Sequence, residues 1–236
     1  MKSFNNDPKL KEMLIEETVK HREADEIIQG SYETELGIPH IIARLEDGIF
    51  EGLDSEYAKT FPERFISAIP VGVDLEMVWP KFAIWLLSDV EHGVIKFVKT
   101  DAQRKSIQDI VDLYIRKVAG ENIEIEEWRM AKKSADAAAD TAYAASYADI
   151  TATAAYAAYA AYTAAAYAAT AAYAYAAAAY AAAAAYAEAA DDDAATYAAI
   201  TAAAAYAAAY FADYDAKHKA GKIQADKLID ILRESE

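Results

Sequence analysis

Along the first 120 residues, apolar positions recur every three or four residues in short stretches, each with a recognisable start or stop. Asp7-Pro8 pairs an N-cap residue with proline at the first helical position, and this helix is expected to run to Gln29 and stop at Gly30. Gly37-Ile38-Pro39 opens a second helix, with Ile42, Leu45, Ile49 and Leu53 at helical spacing. Thr60 to Glu63 has the spacing of a capping box ahead of Phe65, Ile66 and Ile69, although Pro62 restricts Phe61. Asp74 is expected to cap a stretch carrying Met77, Trp79, Phe82, Trp85 and Leu86, with Pro80 at a kink or in the first turn. Val94 to Val98 has the composition of a short strand but no second strand to pair with, so it reads as an extended connector or a helix start. Thr100-x-x-Gln103 is a further box-like cap, after which Ile107, Ile110, Val111, Tyr114 and Val118 line one face before Gly120. Together these stretches predict an all-α domain over residues 1–130. It holds all three tryptophans, Trp79, Trp85 and Trp128, and most of the large apolar side chains.

The pattern then changes without a flexible linker. Between Gly120 and Gly221 there are 100 residues with neither glycine nor proline, and 47 of the 78 positions from Ala135 to Ala212 are alanine. Alanine has the lowest helix cost of any residue, so residues 131–216 are expected to be helical. Fourteen of the 17 tyrosines fall between Tyr143 and Tyr214. Advancing about 100° per residue, they scatter around the helix, and one straight helix would expose rings on every side. Breaks are expected near 149–152, where Asp149 precedes Ile150 and Thr151, and near 189–194, where three aspartates adjoin. The tract is thereby expected to form closely packed antiparallel helices with the N-terminal region packed on them. The alternative is one long helix, on the order of 120 Å. Residues 217–236 read as an amphipathic C-terminal helix. A separation of eleven recurs among the tyrosines, as between Tyr156 and Tyr167, a period that favours a slightly right-handed supercoil. Threonines on multiples of eleven are too interrupted, and the tyrosines too bulky, for a flat ice-binding face.

Charge narrows the functional classes. The net charge is −16, made up of −8 over 1–133, −9 over 134–216 and +1 over 217–236. No stretch offers a basic face for phosphates, so no nucleic-acid partner is expected. Residues 150–187 are uncharged, but Ile150 is their only large aliphatic residue and both flanks are acidic, so no membrane span is expected. The chain contains no cysteine, which removes disulfides, thiolate nucleophiles and Cys-based zinc sites and fits a cytoplasmic location. Met1 to Asn6 is polar, and no secretory signal is read there.

Candidate chemistry is sparse. Glu17, His21 and Asp25 share one helix face, but Thr18 stands where a di-iron Glu-x-x-His pair needs its carboxylate, and Lys20 and Arg22 make this an ordinary ion-pair face. Asp191-Asp192-Asp193 lacks the alternation and glycine of a calcium loop. Phosphate-loop, nucleophile-elbow and kinase signatures are absent, and neither a catalytic residue nor a cofactor is expected. Tyrosine supplies large amphipathic contact area with few torsions to freeze. Tyr156, Tyr159 and Tyr162, spaced by three, form one ribbon along a helix and are the candidate protein-binding residues.

Three stretches, Gly37 to Leu53 (GIPHIIARLEDGIFEGL), Ala68 to Leu75 (AIPVGVDL) and Trp79 to Leu87 (WPKFAIWLL), resemble an uncharacterised alanine-rich protein group of tailed phages and prophages. That group similarly passes through Glu126-Glu127-Trp128 into an alanine-rich tract and ends in a segment like Ala225 to Ile229. The alanine-rich half is also similar, in composition, to immunity proteins of toxin systems. The first resemblance implies a phage accessory role in the host cytoplasm, the second a protein that binds and neutralises another. The resulting expectation is a non-catalytic binder of a host, defence or toxin protein, with a self-associating structural or scaffold protein as the alternative.

Overall fold

The computed structural model describes residues 2–20, 35–50, 52–98, 100–131, 133–135, 137–138 and 214–235. Of this part 74% is helical and none is strand, so the fold is all-α. The helices are α1 (Pro8–Lys20), α2 (His40–Phe50), α3 (Ser55–Ala58), α4 (Phe61–Ala68), α5 (Val78–Ser88) and α6 (Asp101–Val118). They are followed by α7, helical at 125–131, 133–135 and 137–138, and α8 (Tyr214–Arg233). Short 3-10 turns occupy Ser3–Asn6 and Val94–Phe97, so the run with strand composition is a helical turn. The chain divides into two compact units, Met1–Phe82 with Lys217–Glu236, and Ala83–Ala216.

The first unit begins with an unusual turn: Phe4, Asn5 and Asn6 all have positive φ, at 51°, 50° and 60°. Asparagine tolerates this region, but phenylalanine does so at a cost. Burial offsets that cost, since Phe4 is wholly enclosed. Ser3 pins the turn from both sides of its backbone, its N–H donating to the Val73 carbonyl at 2.9 Å and its carbonyl accepting from Gly72 at 3.0 Å. Gly72 suits the turn, its φ of +77° being a backbone conformation that side chains rarely adopt. Asp7 then caps α1, its Oδ1 accepting from Lys9 N at 2.9 Å. α1 and α2 both pack on α4. Lys11 of α1 reaches the C-terminal end of α4, where its Nζ donates to the carbonyls of Ser67 at 2.9 Å and Ile69 at 2.7 Å.

The cap expected at Thr60 is absent. Thr60 has helical dihedrals (φ −108°, ψ −16°) and makes no side-chain cap bond to α4. It closes the turn that follows α3 instead, its N–H and its Oγ1 both donating to the Tyr57 carbonyl at 3.1 Å. A capping side chain needs extended backbone at the cap position, which the preceding turn denies here. Pro80 falls within the first turn of α5, whereas Asp74 does not cap α5 as expected: its Oδ1 accepts from Glu76 N at 3.0 Å in the turn ahead of the helix.

In the second unit the box at α6 forms as its spacing predicts. Gln103 N donates to Thr100 Oγ1 at 3.2 Å, and Thr100 N donates to Gln103 Oε1 at 3.1 Å. Ile107, Ile110, Val111 and Tyr114 are buried on one face of α6. Tyr114 meets Trp128 of α7 with ring centroids 4.9 Å apart. Arg116 fastens the connection between the two helices, donating to Glu121 at 2.8 Å and Glu127 at 2.6 Å. The hydrogen bond from Arg116 holds the Glu127 carboxyl below the usual carboxylate range. Trp128, Ala131, Ala135 and Ala138 are buried at three- and four-residue spacing along α7.

Candidate functional site

The proposed tyrosine ribbon, Tyr156, Tyr159 and Tyr162, lies outside the described residues. So do the expected breaks near 149–152 and 189–194, the positions of His21 and Asp25, and the aspartates at 191–193. Among the described residues, no group of three or more His, Asp or Glu is placed to hold a metal ion. No described helix is long and apolar enough to cross a membrane.

The most elaborate polar cluster of the described chain lies where α8 meets α3 and α4 in the first unit. It is built on Asp54, which caps α3 by accepting from Glu56 N at 3.1 Å and Tyr57 N at 2.9 Å. The other Asp54 oxygen pairs with Lys222 of α8 at 2.6 Å, and that bond, followed by the cap from Tyr57, lowers the Asp54 carboxyl below its ordinary range. The cap also presents Tyr57, whose hydroxyl donates to Asp226 Oδ1. Arg64 Nη2 reaches the same oxygen at 2.6 Å. The guanidinium stands 4.8 Å from the centroid of the Tyr57 ring, and Lys222 Nζ stands 5.5 Å from it. Burial, and then the bond to Asp226, raise the phenol above its ordinary value, so Tyr57 stays a donor across the neutral range.

Two carboxylates, two cations and a neutral phenol satisfy one another in this cluster. Its work is positional: it sets the register of α8 against α3 and α4. Ala225, Leu228, Ile229 and Leu232 of α8 are buried at helical spacing beside it. The sequence signal for the cluster is slight, because 162 residues separate Arg64 from Asp226. Asp54 alone is legible, as a cap three residues before Tyr57.

A second feature stands apart from the cluster. Glu46 lies on α2 between Ile42 and Ile49, is 3% exposed, and its Oε1 has no hydrogen-bond partner. Sequence reasoning missed Glu46; the signal that could have found it is a carboxyl at the fourth residue after Ile42 and the third before Ile49, inside the apolar stripe. Large apolar side chains are also exposed in the second unit, Met130 at 73% and Ile125 at 44% on α7, where the chain approaches the alanine-rich tract. No known protein family, curated protein or solved structure matches the chain.

Proposed function

We propose that this chain is a non-catalytic, phage-type accessory protein that binds a host, defence or toxin protein through a tyrosine-studded helical surface in the host cytoplasm. The observation that carries the reading is the alanine and tyrosine tract itself. Fourteen tyrosines are set on the best helix former in a stretch with no basic residue between Lys133 and Lys217. Alanine keeps the contact surface shallow, tyrosine provides amphipathic anchors, and nine acidic residues over 134–216 favour a basic partner over an acidic one.

The structure adds supports on either side of the tract. α7 leads into it as a helix on which Trp128, Ala131, Ala135 and Ala138 are buried. α8 follows it and is fastened by the Tyr57 cluster and a buried apolar seam within the first unit. Affinity capture with the full chain from an infected host tests the reading. A single stoichiometric protein partner supports it; recovery of only further copies of the chain favours the scaffold alternative.

A further inference from the structure

We propose that the first unit contains a proton-operated switch, in which α2 closes on α4 with Glu46 as the neutral acid and loosens when that proton is lost. Glu46 sits in the apolar stripe of α2, 3% exposed, with Oε1 buried and unbonded. An ionised carboxylate there would leave the buried Oε1 without a compensating donor, and a poorly paired charge in an apolar interior shifts the group to its neutral form instead. Among the described residues, the charge that acts on Glu46 does not rescue the anion. Asp47, the next residue on α2, repels it. α4, which packs on α2, carries Glu63 and Arg64, and Arg64 is engaged by Asp226 at 2.6 Å. On α8, Lys222 is engaged by Asp54 and Asp226 by Tyr57 and Arg64.

Burial first, and repulsion from Asp47 second, raise the Glu46 carboxyl from 4.5 to about 8. Below pH 4.5 both closed and loosened forms hold the proton, so the equilibrium between them does not change with pH. Between 4.5 and about 8 only the loosened form releases it to solvent, and opening becomes easier by about tenfold per pH unit. Above about 8 both forms are ionised and the effect levels off. The window includes neutral pH, so modest changes in acidity alter how firmly α2 is held.

The test uses the full chain and its Glu46→Gln variant, which keeps the shape and removes the proton. Amide exchange of α2, corrected for intrinsic rates, should show opening that rises about tenfold per pH unit from 5 to 8 in the wild type and stays flat in the variant. Equal slopes in the two proteins overturn the proposal. Should the variant fail to fold, carbon-13 titration of the wild-type Glu46 carboxyl decides alone. A midpoint near 8 supports the switch, and one near 4.5 overturns it.

Discussion

Leu228→Ala and Asp226→Ala probe the two ways α8 is held, and the structure ranks them. Leu228 is wholly buried, so truncating it removes its share of the apolar seam and leaves a cavity, at a cost of about 2–5 kcal/mol. Asp226 looks more important in a list of contacts, since it accepts from both Tyr57 and Arg64. Its side chain is nevertheless 54% exposed and that of Arg64 35%, so water screens the pair, and an exposed ion pair contributes about 0–1 kcal/mol. Adding the lost acceptor of the Tyr57 hydroxyl brings the total to about 1–2 kcal/mol. Native-state hydrogen exchange resolved on the amides of α8 separates the two. Protection there should fall by at least about 30-fold in Leu228→Ala and by about 5- to 30-fold in Asp226→Ala. Equal losses would refute this ranking, and a larger loss in Asp226→Ala would show that the polar cluster holds the helix more firmly than the apolar seam.

Other outcomes follow from particular residues. Thr100→Ala removes a capping box formed from both sides and should cost about 1 kcal/mol in urea unfolding, whereas Thr60→Ala, at a position that caps no helix, should cost clearly less. Trp128→Ala empties the site beside Tyr114 and should destabilise the second unit by about 3–5 kcal/mol, with loss of the near-ultraviolet dichroism of that ring pair; an unchanged spectrum would contradict the packing.

Helical periodicity and capping residues made the all-α class legible, because these signals act over three or four residues. The stripes of α2 and α6 and the Thr100 box are such signals, and the structure has them where the spacing places them, except that α2 ends at Phe50, short of the expected Leu53. Thr60 shows the limit of local spacing: the same four-residue pattern gives no cap when the preceding turn has already fixed the backbone of its first residue. Ser3 to Asn6 shows another, since a left-handed turn containing phenylalanine follows from contacts with residues near 70 and not from its own composition. The Tyr57 cluster was illegible for the same reason, as its α8 members come from the far end of the chain. Glu46 was missed in the sequence, because a carboxyl inside a stripe is conspicuous only once the stripe around it is known to be buried.

The central claim is that the tyrosines of the tract recognise another protein, and the replacement of Tyr156, Tyr159 and Tyr162 together by alanine tests it most directly. Alanine is the stronger helix former, so helicity by circular dichroism should be retained. Binding to the partner recovered by affinity capture should weaken more than tenfold, or about 1.4 kcal/mol. The contradicting result is a variant that loses several kcal/mol of folding stability while binding per folded molecule is unchanged, which would place these rings in a core instead of on a recognition surface.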